Sequence, residues 1–260
     1  MQNKLLQFSR SVFWSLLICM LLTGSANAAM RDSNFINLCK TGSLERITNA
    51  IEKGANVNAT DRKGLTPLMS AAGRSKPDPE IITALIEASA DVNARTTDGT
   101  TALMWAASDS NLEVIKILIE ASADVSAKNS DGLTPLMFAA EYNSDPEVIT
   151  TLIEAGANIN EQNVDGLTPL MFAAATNSTD IIKILINAGS DFYIENTGKW
   201  TPLILAAWKT SNPEAITIFL DLGIDPKAKD IYGKMAMDYA KGNKNLRNTD
   251  ALKRLEEVSR

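Results

Sequence analysis

Asp98, Asp131 and Asp165 each stand directly before a glycine, at steps of 33 and 34 residues. Converging carboxylates can hold calcium or relay a proton, but convergence needs several of them within one loop or on one helical face. A step of 33 or 34 residues marks a recurring turn instead. No histidine occurs in the 260 residues, which closes Ser-His-Asp and Cys-His catalysis and most catalytic zinc sites. No C-x-x-C, G-x-x-x-x-G-K or EF-hand pattern is present, so the metal and phosphate motifs are missing as well. Carboxylate or lysine catalysis stays formally open, without paired carboxylates at helical spacing to support it. The sequence thus offers no catalytic, cofactor-binding or metal-ligating residues, and contact chemistry is what remains.

Positioning comes from a repeat, which governs everything after residue 31. Gly64-Leu65-Thr66-Pro67-Leu68-Met69 recurs as Gly99–Met104, Gly132–Met137 and Gly166–Met171, then as Thr201-Pro202-Leu203-Ile204, and degenerately as Met235-Ala236-Met237-Asp238. The equivalent positions 66, 101, 134, 168, 201 and 235 are spaced by 33 to 35 residues. Thr followed by Pro starts a helix, since proline suits the first turn. An Ala pair follows in each unit, from Ala71-Ala72 to Ala206-Ala207, and small side chains there let neighbouring helices approach. A second helix carries adjacent apolar pairs one turn apart, such as Val114, Ile115, Leu118 and Ile119. That stripe must be covered by a neighbour. Segments such as Gly156-Ala157-Asn158-Ile159-Asn160 end this helix, and the Asp before Gly is expected to complete the tight turn that follows.

Helix, turn, helix and hairpin at this period, with T-P-L-x-x-A-A and G-A-D/N-V-N signatures, resemble the ankyrin repeat. The resemblance covers essentially residues 31–260, in five clear units plus degenerate ends. It implies an all-α repeat solenoid of about seven units, each a helix-turn-helix plus a β-hairpin or loop, with polar outer caps. Two departures stand out. The family usually has His after T-P-L, bonding between repeats; here Met69, Met104, Met137, Met171 and Ile204 require apolar contact instead. Units two, four and six also carry a longer loop with Asp or Asn before Pro-Glu, at 78–80, 145–147 and 212–214. That order reads as N-cap, first helical residue and an acid at the positive helix end. Duplication of a two-repeat block accounts for it, and a functional ridge is the alternative.

The resemblance further implies that partners bind a concave groove made of first helices and hairpin tips. The residue two after T-P-L and the residue four further on share a helical face, which places Trp105, Phe138 and Phe172 in register across three units. This position either packs between repeats or meets a partner. Tyr142 and Trp208 follow the Ala pair and are the better contact candidates, aromatic anchors being what protein recognition uses. Among the tips, Arg95 and Lys128 are the first candidates; Arg62, Lys63, Asn129, Gln162 and Asn163 differ between units as well.

Residues 1–28 stand apart. Lys4 and Arg10 without any acid, a short apolar run from Val12 to Leu22, and small residues ending in Ala26-Asn27-Ala28 have the form of a cleaved secretory signal peptide. The run is too short for the roughly 20 apolar residues of a membrane span, and bulky Ile18 disfavours lipidation at Cys19. Residues 29–260 then form the ankyrin-repeat domain, with 23 basic and 31 acidic residues, net −8, once Lys4 and Arg10 are removed from the −6 of the whole chain. Basic residues form no long block, which argues against nucleic acid. Cys39 would be the one remaining cysteine, so the domain has no internal disulfide, and a small-residue helix position makes Cys39 packing filler. The expectation is a monomeric, non-catalytic protein-binding module without cofactors, in a bacterial periplasm or secreted, with no lasting membrane insertion. A binder of a small molecule or cell-wall fragment is the alternative; a closed apolar pocket would favour it, and a flat continuous groove would favour a protein.

Overall fold

Thr66 shows how each unit begins. Its hydroxyl accepts the Met69 amide at 3.2 Å, and Thr101, Thr134, Thr168 and Thr201 cap their helices in the same way. The computed structural model describes residues 32–109, 111–176 and 179–260. Within them lie fourteen α-helices in seven pairs. They are α1 (32–41) with α2 (Leu44–Glu52), α3 (Pro67–Ala72) with α4 (Pro79–Glu87), and α5 (Ala102–Ser108) with α6 (Leu112–Glu120). There follow α7 (Pro135–Tyr142) with α8 (Pro146–Glu154), α9 (Pro169–Thr176) with α10 (Thr179–Asn187), α11 (Pro202–Lys209) with α12 (Glu214–Asp221), and α13 (Ala236–Ala240) with α14 (Asp250–Ser259). The 1–28 segment lies outside the described residues.

Two helical layers result. First helices stack on first helices from α3 to α13, and second helices on second helices. The Ala pairs are fully buried, and the first helices approach one another more closely than the second helices do. The stack therefore curves towards the first helices, whose free face is concave. Between the layers, Ile81, Ile82 and Leu85, then Val114, Ile115 and Leu118, then Val148, Ile149 and Leu152 are buried, each contributing roughly 1.5–3 kcal/mol. Met69, Met104, Met137, Met171 and Ile204 are buried too, so apolar side chains fill the position where the family usually places His.

No strand occurs among the described residues, because the hairpins are too short to build a ladder. The turn chemistry also corrects the role expected of Asp131 and Asp165. The turn is held by the residue two places earlier: Asn129 Oδ1 accepts the amides of Asp131 and Leu133 at 3.1 and 2.8 Å, and Asn163 repeats this with Asp165 and Leu167. Asp131 and Asp165 instead tie tip to tip, their carbonyls accepting the amides of Val164 and Thr197 in the next unit at 3.0 and 2.9 Å. That close approach explains Gly166: its φ is +77°, and a Cβ there would meet the Thr197 nitrogen at 2.9 Å.

Carboxamides staple neighbouring repeats. Asn58 donates to the Ser89 carbonyl at 3.0 Å and accepts the Asp91 amide at 2.7 Å. Buried Asn143 donates to the Ala107 carbonyl at the end of α5, and Asn243 reaches Ala207 and Thr210. In the longer loops Asp78, Asp145 and Asn212 accept the amides of Glu80, Glu147 and Glu214, each at 3.0 Å. Asp78 and Asp145 are thus N-caps as expected, whereas α12 starts one residue later, with Pro213 at its N-cap and Asn212 just before it.

Candidate functional site

On each first helix, Leu, Met and the Ala pair take the buried directions, leaving the residue after Met on the concave side. The column so formed is Ser70, Trp105, Phe138, Phe172, Leu205 and Tyr239. Ser70 and Leu205 are buried, whereas Trp105 is 40% exposed and Phe138 and Phe172 are half-buried against the core. Tyr142 and Trp208, one turn further, are 61% and 46% exposed. The five aromatic residues read from the sequence therefore share one face, but not as one stripe: Trp105, Phe138 and Tyr142 form one group, Trp208 belongs to a second, and Phe172 packs against the core between them.

The first group spans the third and fourth repeats. Trp105, Ser108, Asp109, Phe138 and Tyr142 line an open depression of about 410 Å³. The Trp105 indole lies over Gly73 of the preceding repeat, 3.6 Å from where a Cβ would stand. The Phe138 and Tyr142 rings are 6.3 Å apart and tilted. Partial burial, followed by the neighbouring Glu141 carboxylate, raises the Tyr142 pKa.

The second group closes the stack at its other end. Trp200 meets Trp208 edge-on at 5.1 Å and Tyr239 at 4.8 Å. Lys209 Nζ lies 4.6 Å from the Trp208 ring centre, and Lys234 Nζ lies 5.4 Å from that of Tyr239. The Tyr239 hydroxyl donates to the Asp230 carboxylate, which also accepts the amides of Tyr232 and Lys234 at 2.8 and 2.9 Å. Burial and then Asp230 push the Tyr239 pKa up to about 12. Burial works to raise the Asp230 pKa, but the Tyr239 and backbone hydrogen bonds outweigh it and hold the carboxyl below its usual range.

Trp200 and Tyr239 escaped the sequence reading. Tyr239 occupies the column position of the seventh unit, hidden because that unit opens Met235-Ala236-Met237-Asp238 instead of T-P-L. Trp200 takes the place that Leu65, Leu133 and Leu167 fill in other units, where an apolar residue reads as core.

Arg95 and Lys128 are engaged within the protein. Arg95 donates to the Lys128 carbonyl at 2.9 Å and lies 3.6 Å from Asp124, and Lys128 pairs with Glu161 at 2.5 Å. The Lys128 hydrogen bond, opposed by burial, holds the Glu161 pKa down. Both cations thus link one tip to the next, with half-exposed side chains. Cys39 is fully buried and its thiol is pushed up to about 12 by burial, against a smaller opposing pull from Arg74; it packs and stays protonated. Among the described residues no group of three or more His, Cys, Asp or Glu could hold a metal, and no helix is long and apolar enough to cross a membrane.

Paired helices in two layers, with an aromatic concave face, define a helical repeat protein. The family model described as "Ankyrin repeats (3 copies)" matches residues 35–129, 74–163 and 136–230, and the chain belongs to the ankyrin-repeat family. Such repeats generally mediate protein–protein interaction and are typically non-catalytic binding modules. Among curated proteins, none matches the chain.

Proposed function

We propose that this protein is a monomeric, non-catalytic binding module that engages a partner protein through its concave face, as a scaffold or an inhibitor. One observation carries the reading: Trp105, Tyr142 and Trp208 expose 40, 61 and 46% of their surface on the same face of the first helices. Large aromatic surface held by a stiff scaffold is what anchors partner proteins, because few rotamers are lost on binding. The depression at Trp105 is open and belongs to a face running along the stack, which supports a macromolecule over a small ligand or cell-wall fragment. Residues 1–28 support export to a bacterial periplasm. N-terminal sequencing of exported protein should then read from Ala29, and an uncut or Cys19-lipidated chain would oppose it. The binding reading is tested by capture from cell extract with the full domain and with its Tyr142→Ser variant. A partner held by the first and lost by the second is expected; equal capture by both would refute the groove.

A further inference from the structure

The two aromatic groups differ in the charges beside them. At the C-terminal group the rings already carry cations from the chain itself, Lys209 on Trp208 and Lys234 on Tyr239. At the first group the situation is reversed. The charged residue lining the depression beside Trp105, Phe138 and Tyr142 is Asp109, Glu141 directly precedes Tyr142 in the chain, and the cation near the Trp105 ring, Arg74 next to Gly73, is turned to the Cys39 and Gly42 carbonyls. Among the described residues, no lysine or arginine is ion-paired with either carboxylate. Lys76 lines a neighbouring hollow that shares Asp109, without an ion pair to it.

An aromatic face attracts a cation through its ring quadrupole, and a carboxylate beside it adds a charge-assisted hydrogen bond. Trp is the best ring for this, and Trp105 lies against Gly73 of the preceding repeat. The chain's net charge of −6 favours approach of a positive partner. We infer that the depression lined by Trp105, Ser108, Asp109, Phe138 and Tyr142, with Glu141 preceding Tyr142 in the chain, receives a lysine or arginine side chain from a basic segment of the partner. This rests on the concave-face reading and specifies its chemistry: the C-terminal aromatic group, already carrying lysines, takes the apolar part of the partner, and the Trp105 group takes its cation.

The test uses the full chain and a defined probe, hexa-arginine, with hexaglutamine as the neutral control. The readout is the indole N–H resonance of Trp105, assigned by its loss in Trp105→Phe. Hexa-arginine should shift it saturably, and hexaglutamine should not. Asp109→Asn with Glu141→Gln should weaken the interaction at least tenfold. Glu113→Gln with Glu120→Gln, which removes two exposed charges from α6 on the other layer, should change it less than twofold. A Trp105 resonance that ignores hexa-arginine would overturn the inference. So would an equal shift with hexaglutamine, or equal weakening by both charge-removing pairs, since net charge alone would then suffice. Failure here is separable from failure of the groove: capture lost with Tyr142→Ser but retained with Asp109→Asn and Glu141→Gln would leave the groove standing and remove only the cation site.

Discussion

Asn93 of the second repeat donates through Nδ2 to the carbonyl of Ser122 in the third at 3.0 Å, and Ser122 is held at φ +67°. Its Oδ1 also accepts the Asp124 amide at 2.8 Å, so one carboxamide grips both sides of the turn after α6. Equivalent turns place Gly54, Gly156, Gly189 and Gly223 in this left-handed conformation, whereas Ser89 and Ser122 share it at φ +69° and +67°.

Left-handed backbone costs a residue with a Cβ about 1–2 kcal/mol, partly offset by the greater unfolded-state freedom of glycine. Ser122→Gly should therefore raise stability by about 0.5–1 kcal/mol, and Gly156→Ala should lower it by a similar amount. Urea melts at constant m-value give the comparison. A destabilised Ser122→Gly would show that the serine side chain contributes something beyond the turn.

Leu152 lies in α8, buried between its own first helix and the neighbouring repeats. Leu152→Ala should cost roughly 2–5 kcal/mol, the transfer and cavity penalty of a core leucine. A neutral result in a denaturant melt would contradict the stacking of the layers.

Asn143 links repeats through a buried carboxamide, donating to Ala107 at 3.0 Å and accepting the Asp145 amide at 2.8 Å. Asn143→Ala leaves those groups without that partner and should cost about 1–3 kcal/mol. The loss should appear as faster hydrogen exchange at the α7–α8 loop, and unchanged protection there would exclude the staple.

Tyr239 and Asp230 give the stability curve its pH dependence near the C-terminal repeat. The Asp230 pKa is lower in the folded protein, so its contribution is present above the ordinary aspartate value near 3.9 and is lost as pH falls through the folded value. The Tyr239 pKa is raised to about 12, so its contribution is present below the ordinary tyrosine value near 10 and is lost as pH rises towards the folded one. Tyr239→Phe should flatten both limbs and cost about 1–2 kcal/mol at neutral pH, a hydrogen bond to a charged acceptor weakened by solvent at the rim. An unchanged pH profile would mean that the pair does not couple to folding.

Period and core were legible in the sequence because each depends on residues that recur. The Thr caps and the Ala pairs each repeat five times with little drift, the second-helix stripes recur with them, and burial follows from that pattern alone. The site was less legible because it depends on what differs between units. Trp105, Phe138 and Phe172 share a register, but only the fold reveals that Ser70 and Leu205 are buried at the same position while Trp105 is not. Tyr239 was masked by a degenerate opening. Arg95 and Lys128 stand out in the sequence as contact candidates, while their partners, the Lys128 carbonyl and Glu161, lie a full repeat away, a distance at which local sequence carries no pairing signal.

The central claim is that the concave aromatics serve binding more than stability, and Tyr142 tests it most cleanly, being 61% exposed. Trp208 is less clean, since its edge-on contact with Trp200 is worth about 0.5–1.5 kcal/mol. The measurement is the paired change in unfolding free energy and partner affinity for Tyr142→Ser, against the captured partner. The expected result is less than about 1 kcal/mol in stability and at least about 2 kcal/mol in affinity, roughly thirtyfold. A stable Tyr142→Ser protein with unaltered affinity would contradict the account and turn attention to the hairpin tips, beginning with Arg95 and Lys128.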